Sequence, residues 1–102
     1  MTAMSPEPSR RVPRQFMLPW GKGMIVEEAA GEGGLHEPAL QLLHYELGEK
    51  KGQYAIRFAA YDEDGHIEQR PLIINEREIA RIRDELARAP RLRALLKRLV
   101  EE

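Results

Sequence analysis

In residues 54–86 a strand, a tight turn, a second strand and a capped helix follow one another with no residues to spare. Tyr54, Ile56, Phe58 and Ala60 alternate with Ala55, Arg57, Ala59 and Tyr61, the period-two pattern of a half-buried strand. One face is large and apolar. The other carries a single cation, Arg57, with small alanines leaving room beside it. Asp62-Glu63-Asp64-Gly65 signals a turn, and Asp64-Gly65 is well suited to a tight hairpin. Residues 66–74 return as a strand in which Pro71 marks an edge or a bulge, because proline cannot donate to a ladder. Asn75 then starts a helix as its N-cap, with Glu78 where a capping box places a carboxylate.

Upstream, residues 1–15 are rich in Pro, Ser and Arg and nearly devoid of apolar side chains, which predicts a disordered basic tail. Residues 16–23 bring in apolar surface, and residues 24–28 read as a short first strand. Lys22 lies between Gly21 and Gly23, which allow a partner to approach the backbone closely. Neither the glycine spacing nor the Lys-Ser/Thr pair of a phosphate-binding P-loop is present. Trp20 has two roles open to it, capping the core or stacking on a base. Residues 29–38 form a glycine-rich acidic loop, in which adjacent His36 and Glu37 fall short of the three or four ligands a zinc site needs.

Residues 39–47 read as a strand with Leu43, Tyr45 and Leu47 on one face and Leu40, Leu42 and His44 on the other. Apolar residues on both faces imply a central strand, or one covered by a second subunit. Glu49-Lys50-Lys51-Gly52 closes a hairpin to the strand that begins at Tyr54.

In the first helix Ile79, Ile82 and Leu86 share one face, and Arg77, Arg81 and Arg88 fall on the opposite one, as a solvated stripe. Ala89-Pro90 ends that helix or kinks it, and Pro90 is suited to the first position of a second one. There Leu92, Leu95, Leu96 and Leu99 make a leucine stripe that needs covering, either by the chain's own sheet or by a partner's helix in a dimer.

A chain of 102 residues is one domain at most, and its 42% apolar composition allows a small core. We expect one β-β-β-β-α domain over residues 16–102, an α+β fold that is split at Ala89-Pro90. With no cysteine there is no disulfide framework or zinc–thiolate site. Ser5, Ser9 and Thr2 all lie in the tail, and acidic residues cluster in turns and on helices, so the chain reads as no enzyme, with no cofactor and no metal. No apolar run approaches the roughly 20 residues of a membrane span, and the first residues lack a signal-peptide core, so the expected location is cytoplasmic. The net charge of −1 and pI near 6.3 give no strong global field for nucleic acid, leaving local patches to act.

The run Ile56-Arg57, the acidic turn from Tyr61 to Gly65, the strand end Leu72-Ile73-Ile74 and the helix opening Asn75-Glu76 together resemble the positive-cofactor-four family of transcriptional coactivators and its smaller bacterial relatives. The likeness covers about residues 39–98. It implies a curved four-stranded antiparallel sheet, a homodimer joined through helices, and single-stranded nucleic-acid binding. It further implies that Arg57 and the Lys50-Lys51 hairpin touch nucleic acid, with Arg70 in the basic segment before the last strand. The family's aromatic after the strand arginine falls on Ala60, with Tyr61 beside it, and the basic segment is reduced to Gln69-Arg70-Pro71.

The expected function is therefore binding of single-stranded DNA or RNA without sequence reading. Arg57, Lys50, Lys51, Arg70 and Lys22 would serve as cations, and Trp20, Tyr45 and Tyr61 as stacking rings. Ile79, Ile82, Leu86, Leu92, Leu95, Leu96 and Leu99 would join two copies. The competing class is a protein–protein interaction module that has lost the nucleic acid.

Overall fold

The computed structural model describes residues 11–31, 37–68 and 70–101. Most of the expected tail and the centre of the acidic loop, with His36, lie outside the described residues. Strands β1 (Arg14–Leu18), β2 (Gly21–Ala30), β3 (Glu37–Gly48), β4 (Tyr54–Tyr61) and β5 (Leu72–Asn75) pair in chain order as one antiparallel meander. Helices α1 (Glu76–Leu86) and α2 (Pro90–Val100) follow.

The α+β class stands, but the sheet has five strands where four were expected. The extra strand is β1, which places Arg14 and Gln15 in the sheet and not in a tail. Its sequence signal is short: Phe16 alternates with Gln15 and Met17 in a five-residue run that pairs back through the Pro19-Trp20 turn. The return after the acidic turn is also shorter than expected. Residues 66–71 contribute an isolated Tyr61–Ile67 bridge, and regular pairing resumes at Leu72, after Pro71.

One face of the sheet is rolled inward and forms the core. Phe16, Ile25, Leu43, Tyr45 and Ala55 make the main cluster, with Leu18 and Ile73 from the two outermost strands packed against it. Ala39, Ala59 and Tyr61 make a smaller one. The Phe16 and Tyr45 rings meet edge to face, with centroids 5.3 Å apart. On β4 this reverses the expected polarity: Ala55, Arg57, Ala59 and Tyr61 are buried, and the larger Ile56 and Phe58 are only half-buried on the outer face. Roll explains the reversal. The concave side of a curled sheet has little volume per residue, so small side chains fit there and bulky ones are left on the convex side.

β2 carries a bulge between Ile25 and Glu27, where Val26 has no partner on β3. An extra residue reverses which side chains face inward beyond it. Ile25 lies opposite Leu43, yet it is Glu28, and not Glu27, that lies opposite buried Gln41.

α1 begins directly from β5. Asn75 and Glu78 take the positions of the expected capping box, of which the Glu78 half is closed. In it Glu78 Oε1 accepts the Asn75 N–H at 3.0 Å, while buried Asn75 Oδ1 completes no hydrogen bond. Glu76 Oε1 accepts the backbone N–H of Tyr54 at 2.8 Å, tying the helix start to the start of β4. Pro90 opens α2 as expected. Neither helix has a buried residue.

Gly23 lies where β2 crosses β3 most closely, and a Cβ there would collide with the His44 carbonyl oxygen and approach the Glu46 amide nitrogen at 2.9 Å. Both obstacles are backbone and cannot turn aside. Replacing Gly23 with Ala is expected to cost about 2 kcal/mol or more, read as a lower urea midpoint at an unchanged slope.

Candidate nucleic-acid interface

Across the rolled face runs a row of polar side chains set by strand register. Glu28, Gln41, Arg57 and Ile73 lie directly opposite one another on β2, β3, β4 and β5. Arg57 Nε donates to Gln41 Oε1 at 2.6 Å, and Gln41 Nε2 donates to Glu28 Oε2 and to the Tyr61 hydroxyl, both at 2.8 Å. Arg14 forks onto both Glu28 oxygens at 3.0 and 3.2 Å and donates to the Tyr61 hydroxyl at 3.1 Å. In a flat sheet β1 and β4 would lie about 14 Å apart at ~4.8 Å per strand. The long Arg14 and Tyr61 side chains span that spacing, while Leu18 of β1 and Ile73 of β5, packed on one cluster, mark the roll.

Three of the expected ligand contacts lie buried, Arg57 and Tyr61 in the row and Tyr45 in the apolar cluster beside it. Arg57 is 7% exposed, Tyr61 6% and Tyr45 0%, so none offers a free cation or an open ring face. The alanines beside Arg57 do not leave room for a ligand; they are themselves buried and let the sheet close over the guanidinium. Burial holds Arg57 below the ordinary guanidinium value, with Tyr61 favouring the charge and Arg14 opposing it. A guanidinium so placed remains protonated at neutral pH. For Arg14 burial also opposes the charge, but its bonds to Glu28 and Tyr61 outweigh this and raise its pKa. Gln41 and Glu28, which organise this row, were not among the expected site residues. The bulge in β2 and the roll are what bring them in, and neither leaves a mark in residue spacing.

The other expected contacts gather at one end of the sheet. Trp20 sits in the β1–β2 turn and donates from Nε1 to the Tyr45 hydroxyl at 3.1 Å, which anchors one edge of the indole and leaves 41% of the residue exposed. Both roles considered for Trp20 are therefore compatible with its position. Gly48 at the end of β3 runs against the Trp20 backbone with φ of +104°, a conformation that favours glycine. The Lys50-Lys51 turn follows directly, held by the Lys51 N–H to the Gly48 carbonyl at 3.2 Å. Lys22 is exposed opposite Leu47. Lys22, Lys51 and half-buried Lys50 thus lie with Trp20 at this end, in company with exposed Glu46 and Glu49. Arg70 is elsewhere, exposed just before β5 with φ of +57°, an uncommon backbone state for arginine.

The expected dimer residues all lie on α1 and α2. Ile79, Ile82, Leu92, Leu95, Leu96 and Leu99 are exposed, Leu95 and Leu99 at 60% and 64%, and Leu86 is half-buried. The acidic turn is built on Asp62, whose Oδ1 accepts the N–H groups of Asp64 and His66 at 2.9 Å each. The hydrogen bond from His66, and that from Asp64, hold the Asp62 carboxyl below the usual aspartate range. Asp62, Asp64 and His66 bring possible ligand atoms within 4.8 Å of one another; Asp62 Oδ1 shapes the turn, and its Oδ2 lies 3.8 Å from His66 Nδ1.

Comparison of the chain with protein-family models, with curated proteins and with solved structures finds no match.

Two outcomes follow from these contacts. Gln41→Leu removes the acceptor of Arg57 and the donors to Glu28 and the Tyr61 hydroxyl, and is expected to cost about 2–4 kcal/mol of stability, measured by urea unfolding at neutral pH. Asp62 has a depressed native pKa, so its contribution is present above the unfolded value of about 3.9 and is lost as pH falls through the lower native value. The stability gap between the wild type and Asp62→Ala should accordingly narrow between pH 5 and pH 2, following the order-of-magnitude window for such a carboxylate (~5 to ~1); a gap constant across that range would remove the carboxylate from the turn's stabilisation.

Proposed function

We propose that this chain is a non-catalytic, cytoplasmic homodimer that holds single-stranded nucleic acid, DNA ahead of RNA, without reading its sequence, in transcription or DNA maintenance. The observation that supports it most is the cluster at the end of the sheet. There Trp20 in one turn, Lys50 and Lys51 in the next and Lys22 at the start of β2 gather at one end of the sheet, with Trp20 41% exposed. An aromatic face takes a base and neighbouring ammonium groups take phosphates, which are the two elements of single-strand binding. The likeness of residues 39–98 to the positive-cofactor-four family points the same way. Relative to that likeness, the contact moves from Arg57 in the sheet toward the turns.

Association through the helices belongs to the same reading. Eleven-residue helices with leucine stripes this open are poor structures alone in water. Pairing two copies would remove Ile79, Ile82, Leu92, Leu95, Leu96 and Leu99 from solvent. A second reading, an association module without a nucleic-acid ligand, is favoured by that same exposed surface and by the net charge of −1.

The two readings separate in fluorescence anisotropy with labelled oligo-dT and its duplex at two salt concentrations. Nucleic-acid binding predicts preference for the single strand and a steep loss of affinity as salt rises. Trp20→Ala combined with Lys50→Glu and Lys51→Glu should weaken binding about tenfold or more, since one stacked base contributes on the order of 1–3 kcal/mol. No binding at low salt leaves the association module. Independently, Leu95→Glu with Leu99→Glu is expected to halve the mass found by sedimentation equilibrium; a wild type already monomeric would remove the dimer.

A further inference from the structure

The row on the rolled face gathers two guanidiniums, Arg14 and Arg57, around the carboxylate of Glu28. Both Glu28 oxygens accept from Arg14, and one of them also accepts from Gln41, at 2.8–3.2 Å. A planar fork and an amide converging on two anionic oxygens suit a carboxylate and a phosphate equally well. Arg57 stands behind, with its Nε on the neutral Gln41 amide. Among the side chains hydrogen-bonded in this row there are thus two guanidiniums, one carboxylate, one amide and one phenol. A buried ionic group is weak evidence for stability, because apolar residues of similar volume often do as well or better. Packing alone therefore does not account for the row.

The exposures are graded. The Arg14 and Glu28 side chains are 16% and 9% exposed, whereas Gln41 and Arg57 lie deeper as whole residues at 1% and 7%. The ion pair is the part of the row nearest to water, and a Glu28 carboxylate that turned outward would uncover the Arg14 fork and the Gln41 amide.

We infer that the rolled face is a phosphate-binding cleft closed by its own carboxylate, Glu28 standing where a phosphate would be held by Arg14 and Gln41 with Arg57 behind them. Glu28 then acts as an autoinhibitory group. A ligand phosphate must displace it, and affinity is set by that competition. Whether the phosphate is free or belongs to a nucleic-acid strand is a separate matter, and only the second form rests on the function proposed above.

The test compares the full-length wild type with Glu28→Gln, which keeps shape and removes the charge. Glu27→Gln is the control, making the same charge change at the exposed neighbour that the bulge turns away from Gln41. Thermal unfolding in inorganic phosphate is read against chloride at equal ionic strength, and oligo-dT binding by anisotropy. Glu28→Gln should gain several degrees from phosphate where the wild type gains little, since a ligand that binds the native state raises its melting temperature. If the phosphates of a strand use the cleft, its oligo-dT affinity should also rise about tenfold, with Glu27→Gln unchanged.

A folded Glu28→Gln that responds to neither probe, or a gain matched by Glu27→Gln, overturns the inference. Should Glu28→Gln not fold, the double variant Arg14→Gln with Glu28→Gln carries the test. It replaces the ion pair with neutral amides and leaves Arg57 without a competing carboxylate in the row. It should retain a smaller phosphate response, and failure of both variants to fold would make Glu28 purely structural and equally end the proposal. A phosphate response with no oligonucleotide binding by any form would keep the cleft and reject the nucleic-acid reading. Oligonucleotide binding identical in the wild type and Glu28→Gln, without a phosphate response, would do the reverse.

Discussion

The hydrogen bond from Arg57 to Gln41, 2.6 Å long and almost wholly buried, is the contact on which the inner face depends. A guanidinium taken from water at that position requires partners on every side. Gln41 supplies the acceptor and passes the demand on to Glu28 and Tyr61, and Arg14 completes the set from the other end of the sheet. Long side chains from β1 and β4 complete this closure across the inner face of the rolled sheet. The polar row and the roll support each other: the roll draws distant side chains together, and their bonds hold it. Ala55 and Ala59 on β4 and Ala39 on β3 leave the space for it.

Sheet and helices stand in opposite conditions. The sheet buries its inner face within one chain, with apolar clusters on both sides of the polar row. Neither helix has a fully buried residue, and their leucines other than half-buried Leu86 face water. At about 25 cal/mol per Å² of apolar area removed from water, covering several such side chains contributes on the order of several kcal/mol. The two halves thus differ in kind: the sheet covers its own apolar inner face, and the helices leave most of theirs exposed.

Two acidic side chains, adjacent on one strand, show how local geometry divides labour. Glu27 and Glu28 are chemically alike, but a single unpaired residue, Val26, sends one to solvent and the other into the polar row. The bulge thereby decides which of two identical carboxylates neutralises Arg14.

The order of elements from Tyr54 onward was legible in the sequence because each signal is local. Period-two alternation, the Asp62–Gly65 turn, the Asn75–Glu78 cap and Pro90 at a helix start all act within a few residues. The leucine stripe and the Lys50-Lys51 hairpin were legible for the same reason. What the alternation on β4 could not decide was which face turns inward, since both patterns are consistent with a half-buried strand. Volume led to the wrong side, because large apolar residues are normally the buried ones and curvature here reversed the preference. The bulge at Val26 and the Arg14–Glu28–Gln41–Tyr61–Arg57 row belong to tertiary structure alone. The row joins residues up to 47 positions apart, which only the strand order and register of the assembled sheet bring within hydrogen-bonding reach.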